Sequence, residues 1–303
     1  MTKLYIDCNM GAAGDMLMAS LYELLGEADR EEFIAKMNSL AIPGVKISAE
    51  KKMSNVGIAG THMKVLVNGE EEGECSEEHE GGHEHHNDHE HSHDHHHHHE
   101  HDHHHHHEHH HHEHEHGHHH EEAHGHHHHH EHRGLKEITE LIRSLDLPER
   151  VKEDAVKVFT IISEAESTVH GRPMEDIHFH EVGTFDAVAD VVGNCLLIYM
   201  HGYPDVIASP IHVGTGTVKC AHGVLPVPAP ATALILRGVP IYGGEIEGEL
   251  CTPTGAAILK YFVGKYAGMP PMMIEKIGYG IGTKEFKCAN CLRTILGTSH
   301  DIV

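Results

Sequence analysis

The chain has 303 residues, 42 of them His, and a formal net charge of −25. That charge is local: 19 acidic residues and no Lys or Arg lie between Glu70 and Glu131, which leaves only about −6 on the rest. A remainder so nearly balanced gives no footing for a nucleic-acid partner. No run of 18 uncharged apolar residues is present to suggest a membrane span.

In chain order, "KLYIDC" predicts a short strand, "NMGAAGD" a Gly-rich turn, and "MLMASLYELLG" a helix. Leu17, Leu21, Leu24 and Leu25 fall at helical spacing there, with Gly26 as the stop. "EEFIAKMNSL" predicts a second helix, and "VKISAEKK" and "THMKVLVNG" two strands flanking "MSNVGIAG". From residue 70 to about 133 apolar side chains nearly vanish, so the segment cannot offset its ordering entropy. A disordered His/Glu-rich surface insert is expected over 70–133. "LKEITELIRSL" and "ERVKEDAVKVFTIISEAESTVHG" then predict two amphipathic helices. "IHFHEV" reads as a strand, "FDAVADVVGNCLLIYMHG" as a helix, and "DVIASPIHVG" as a strand with a turn. A Pro-rich loop leads into a helix ending at "LILRG", "TPTGAAILKYFVG" predicts a capped helix, and "IEKIGYGIGTKE" and "CLRTILG" predict closing strands. Strands and helices mix without a strict βαβ repeat. The expected fold is therefore α+β, a mixed sheet packed with helices. Residues 1–69 and 134–303 would form its core on either side of the insert. The start shows no long apolar leader and the seven cysteines are odd in number, which suits a reducing cytoplasm.

Between His79 and His132 lie 34 of the 42 histidines. The densest runs are His95, His96, His97, His98 and His99, then His103, His104, His105, His106 and His107, laced with Glu and Asp. Imidazole is largely neutral at pH 7 and binds late first-row metals, Ni2+ among them. A flexible polyvalent ligand holds such ions loosely and releases them, as suits a store or a delivery arm. Fixed catalytic geometry needs a folded site instead.

Several stretches could form that site. In "IDCNMGAAGDM" a strand runs through a Gly-rich turn into a helix, whose outward N–H groups favour anions. Gly11 and Gly14 would let a phosphate approach, and Asp15 is a metal or proton site. The pattern is no Walker loop, because no Lys-Ser/Thr follows the glycines. In "HFHEVGTFDAVAD", strand period places His178 and His180 on one face, and helix period does the same for Asp186 and Asp190. The "EVGT" link, with Gly183, can fold the two halves together into a metal site. His180, Glu181 and Asp186 are candidates for the proton-accepting base. "HVGTGTVKCAHG" offers His212, Cys220 and His222 as further ligands, or else a glycine-rich hairpin. In "ELCTPTGAAIL", Thr252 or Thr254 caps a helix whose start, with Gly255, could hold a phosphate. The single Cys288–Cys291 pair lacks a second CxxC and reads as incidental.

Taken together, "DCNMGAAGDM", "HFHEVGTFDAVADVVG", "GTVKCAHGVLPVPAPATA" and "LCTPTGAAIL" resemble the nickel-insertion family of the lactate racemase cofactor pathway, the nickel-pincer nucleotide cyclometallases. The likeness covers nearly the whole chain outside the His tract. It implies a nickel chelatase of the lyase class acting on pyridinium-3,5-bisthiocarboxylic acid mononucleotide. Two Ni–S bonds and one Ni–C bond form, and the ring C4 proton is lost. It further implies cytidine triphosphate (CTP) with Mn2+ or Mg2+, a C-terminal nucleotide-binding part, a nickel-pincer-dependent racemase downstream, and possible homo-oligomers. Family members usually continue beyond the "LRTILG" stretch, in some cases through a ribosomal frameshift. "KCANCLR" departs from the family, which more often has a Pro-Asn type sequence there. The rival readings are a nickel store or metallochaperone without insertase activity, and a zinc hydrolase, which lacks an HExxH helix.

Overall fold

The computed structural model describes residues 2–71, 134–177, 179, 184–220 and 223–299. The described residues on both sides of the His-rich tract belong to one compact unit. The tract itself, with His178, His180, Glu181 and His222, lies outside the described residues.

The apolar run of β1 (Thr2–Asp7) places Leu4, Tyr5 and Ile6 in the interior, and the glycine turn behind it delivers α1 (Gly14–Glu23). Then come α2 (Glu27–Ser39), β2 (Val45–Met53), β3 (Ala59–Val67) and β4 (Glu70–Glu71). Past the tract run α3 (Leu135–Ser144), α4 (Glu149–His170), the 3-10 turn Met174–Asp176 and α5 (Phe185–Met200). Short strands follow: β5 (Asp205–Ala208), β6 (Ile211–His212), β7 (Gly214–Thr215), and a hairpin of β8 (Thr217–Cys220) with β9 (Gly223–Pro226). The chain continues with α6 (Pro230–Ile235), β10 (Ile241–Tyr242), β11 (Gly248–Glu249), α7 (Pro253–Phe262) and β12 (Lys265–Tyr266). β13 (Met273–Ile281) and β14 (Cys291–Thr298) close the fold.

The main sheet runs β12-β5-β1-β14-β13-β3-β2, with β4 paired to β3. It is mixed: β1 pairs β5 in parallel and β14 antiparallel, and β13 pairs β14 antiparallel. The α+β expectation holds. The helices pack on the sheet, α1 against β13 and β3, α5 against α1, and α4 against α5. The "GYG" of β13 explains how closely α1 lies. A Cβ at Gly278 would stand 2.1 Å from the Ser20 carbonyl oxygen, and one at Gly280 would stand 1.9 Å from that of Met16. These two period-2 positions must lack side chains for the helix to rest on the strand.

Glu23, at the end of α1, pins it to the sheet. It accepts from Lys51 Nζ at 2.8 Å, Thr61 Oγ1 at 2.7 Å and the Tyr279 N–H at 2.8 Å. Burial alone would raise its pKa, but these donors outweigh it and hold the carboxyl below its usual range.

Of the strand expected over 177–182, only Ile177 and Phe179 lie among the described residues, and both are buried. Phe179 meets Phe159 of α4, ring centroids 6.4 Å apart.

Candidate functional site

β3 and β13 share a single parallel pair, Thr61 with Gly280, and then part. Where they part, a cavity of about 720 Å3 opens, with Met63 and Val65 of β3 on one side and Gly282, Thr283 and Lys284 on the other. Helices α1, α5 and α7 all begin at its wall, through Gly14 and Asp15, Asp186 and Ala187, and Pro253 and Thr254. Their first N–H groups have no intrahelical acceptor, so this end of the fold carries partial positive charge.

The starts of α1 and α7 are locked together. The Ala12 N–H donates to the Leu250 carbonyl at 2.9 Å, and the Thr252 N–H donates to the Ala12 carbonyl at 3.1 Å. Thr252 caps α7, its hydroxyl oxygen accepting from the Gly255 N–H at 3.2 Å. This lock accounts for two of the expected phosphate-binding glycines. Gly11, at φ 84°, would drive a Cβ to 1.9 Å from the Leu250 carbonyl oxygen, and Gly255 would drive one to 2.3 Å from that of Ala12. Both are positions of close backbone approach, and neither lines the cavity. Gly14 does line it, but a Cβ there would meet Asp190 Oδ2 at 2.4 Å. Its bareness makes room for α5.

Of the expected metal residues, Asp15, Asp186 and Asp190 do converge on the cavity, as do Thr252 and Thr254 of the expected anion site. The i, i+4 spacing on α5 brings Asp186 and Asp190 to one wall, as helix period requires. His212 does not join them. Its Nδ1 lies 2.8 Å from the Asn9 carbonyl and its Nε2 lies 2.7 Å from the Gly243 carbonyl, with Tyr242 stacked on the ring at 4.6 Å. Both nitrogens are within hydrogen-bond distance of backbone carbonyls, and His212 does not line the cavity. Among the described residues, no three His, Cys, Asp or Glu side chains form a ready-made metal cluster.

Asp15, in the first turn of α1, is half-buried at the cavity wall. Burial pushes its pKa up. The Met16 N–H and the charge of His62 act against that rise, and Glu71 adds to it.

His62 and Glu71 are functional candidates that sequence reasoning missed. His62 is 5% exposed, with Nδ1 at 3.0 Å from the Ile281 carbonyl and Nε2 at 2.7 Å from Glu71 Oε1. Lys64 Nζ stands 3.3 Å from Glu71 Oε2. Glu71 is registered opposite Leu66, so it shares the strand face of Lys64 and His62. The turn that brings it there is Asn68–Gly69, both at positive φ (56° and 93°). Asn-Gly between strands is a strong short-range hairpin signal, and it extends the folded chain to Glu71. The tie to Ile281 spans 219 residues and left no local trace.

The sequence profile described as "Nickel insertion protein" matches residues 4–302. A "Putative nickel insertion protein" of Dictyoglomus thermophilum is 32% identical over 297 residues, covering 98% of this chain and 61% of its own length. A "Pyridinium-3,5-bisthiocarboxylic acid mononucleotide nickel insertion protein" of Acetivibrio thermocellus is 35% identical over 303 residues, 99% of this chain and 61% of that one. A protein of the same description from Desulfitobacterium hafniense is 48% identical over 169 residues, 56% of this chain and 42% of that one. The chain thus spans about 60% of the length of the relatives it matches end to end. No solved structure matches. With the profile spanning both flanks of the His tract and every part of the cavity wall described above, the chain belongs to the nickel insertion protein family.

Proposed function

We propose that this chain carries nickel and takes part in inserting it into pyridinium-3,5-bisthiocarboxylic acid mononucleotide. The observation that carries the reading is the single cavity in which Asp15, Asp186 and Asp190 meet the starts of α1, α5 and α7. The substrate needs both kinds of neighbour. Its phosphate suits the start of α7 at Thr254, with Lys219 and Lys284 as the lysines of the described lining. Its metal suits carboxylates, which hold Ni2+ less tightly than a cysteine cage and can let it go.

Insertion is heterolytic. The two thiocarboxylate sulfurs donate to Ni2+, the C4–H electron pair becomes the Ni–C bond, and the proton leaves to a base while nickel remains divalent. Asp186, buried on the first turn of α5 and facing the cavity, is our choice for that base. His178, His180, Glu181 and His222 remain candidates from sequence. CTP with Mn2+ or Mg2+ and a C-terminal nucleotide-binding part follow from the family resemblance, and no residue of this chain is assigned to them. The product would pass to a nickel-pincer-dependent racemase in the cytoplasm.

The second reading, a nickel store or metallochaperone, rests on the 34 imidazoles of the tract and asks nothing of the cavity. The test is conversion of the mononucleotide by nickel-loaded protein, with and without CTP and Mn2+, and with and without the C-terminal part of a longer relative. Asp186→Asn is expected to lower the rate about 100-fold or more, the scale of general-base loss, while nickel uptake by the tract is unchanged. Nickel held but never transferred under any of these conditions would leave the store as the function.

A further inference from the structure

We propose that Glu71 is the residue that receives the ribose hydroxyls of the mononucleotide, held in place by His62 and Lys64. The proposal rests on the mononucleotide reading above and adds the residue that would recognise the sugar. It begins with protons. His62 Nδ1 faces the Ile281 carbonyl, which only accepts, so Nδ1 donates. Nε2 faces Glu71 Oε1 at 2.7 Å, and it too donates if Glu71 is ionised. Burial by itself would raise the Glu71 carboxyl, but hydrogen bonds from His62 and Lys64 outweigh it and keep the group below its usual range. Glu71 therefore accepts from His62 Nε2 on one oxygen, with the Lys64 ammonium on the second.

Such a carboxylate has limited uses. Each oxygen already takes one donor, His62 Nε2 or Lys64 Nζ. That makes Glu71 a poor ligand for Ni2+ and a poor acceptor for a ring proton. Each oxygen still has a lone pair, and the side chain lines the cavity. An ionised carboxylate with fixed oxygens and spare lone pairs suits neutral O–H donors, and a cis-diol supplies two of them side by side. Acidic side chains bind the ribose of nucleotides in other folds for the same reason. The surroundings fit the rest of the ligand: Met16, Met63 and Val65 line the same cavity and offer a pyridinium ring apolar surface. His62 acts through Glu71 and is a positioning residue. With both nitrogens occupied, it does not itself reach the ligand.

The experiment uses calorimetric titration of the full chain with two probes, nicotinic acid mononucleotide and its 2′,3′-dideoxy analogue. The parent protein should bind the ribo form about ten- to a hundred-fold more tightly, the range for hydrogen bonds to a charged group. Glu71→Gln, close in shape, should lose that preference by weakening the ribo form alone. His62→Gln should do the same to a smaller extent, and Glu71→Asp should retain part of the preference. Equal binding of both probes by the parent would overturn the proposal. Equal weakening of both by Glu71→Gln would also overturn it, making Glu71 a wall residue only. If the parent binds neither probe, the mononucleotide reading itself falls. That outcome is distinct from a parent that binds both alike.

Discussion

Asp154 and Asp15 are both enclosed aspartates on helices, and they are treated in opposite ways. Asp154 of α4 has no exposed surface. It accepts from Tyr203 Oη at 2.5 Å and Tyr261 Oη at 2.7 Å, with Arg150 Nε at 3.2 Å. Its neighbours register its charge, since burial and then the Asp154 carboxylate push the phenols of Tyr203 and Tyr261 up. Asp15 sits at a cavity wall, where burial raises its pKa and its hydrogen-bond relief comes from the backbone of its own helix turn. The first carboxylate is closed off by side chains brought from three parts of the chain. The second is left facing an open volume. The fold thus satisfies a buried acid fully in one place and leaves another facing a cavity elsewhere.

Stability measurements on the two sites should differ in sign. Asp154→Ala removes the acceptor of two buried phenols and Arg150 and should destabilise the chain by about 3–5 kcal/mol, read as a drop in the denaturant midpoint. A loss below ~1 kcal/mol would mean that the cluster is not the clamp described here.

Next in size is Gly14→Val. As an expected phosphate-binding position, it should have weakened ligand binding more than folding. The structure reverses this, because its Cβ would enter the space of the Asp190 carboxylate. Overpacking of this kind costs about 1–3 kcal/mol. A variant with the parent melting temperature and a selective binding defect would restore the earlier view.

Asp15→Asn should go the other way. The folded-state pKa is raised, so between the unfolded value, about 3.9, and the higher folded one, the native state binds more protons than the unfolded state. Stability therefore falls as pH rises through that window, and the ionised carboxylate is a liability at neutral pH. The Asn variant should be slightly more stable than the parent at pH 7, by less than ~1 kcal/mol after discounting for its partial exposure, and should lose that part of the pH dependence. Nickel insertion should fall at the same time, the trade expected of a working residue. A destabilised Asn variant would place Asp15 with Asp154.

The two regions also differ in how far they could be read in advance. Asp186 and Asp190 were legible because helix period alone places i and i+4 together, and α5 is long and strongly apolar. The helices and the closing strands β13 and β14 followed from the same periodicities. What the sequence hid were meetings at long range. Nothing near His62 announces Ile281, and nothing near Asp154 announces Tyr203 and Tyr261, 49 and 107 positions away. The glycines misled for a physical reason. A Gly-rich turn before a helix serves an anion or a close neighbouring backbone equally well, and at Gly11 and Gly255 the neighbour is backbone. Asn68–Gly69 was readable as a hairpin turn, and taking it so would have carried the folded chain on to Glu71.

The last expected effect concerns the tract. β4 ends at Glu71, tied to His62 and Lys64, and α3 begins after Gly134, whose N–H donates to Glu137 Oε2 at 3.0 Å. Both anchors lie outside residues 79–132. The segment contains almost no apolar side chain that the core could bury. Deleting 79–132 shortens the connection between the anchors, and loop-closure entropy changes only slowly with length, by about 0.6 kcal/mol per halving. The deletion is about three halvings, or ~1.8 kcal/mol, so the melting midpoint should rise by no more than about 4–7 °C, while nickel capacity in equilibrium dialysis drops by most of its sites. The Asp154 and Asp15 variants should keep their opposite signs in the deleted background, since the partners named above for both residues lie outside the tract. A cooperative melt lost on deletion would show that the histidines help hold the fold together, and would undo the separation of carrier from cavity on which the functional reading depends.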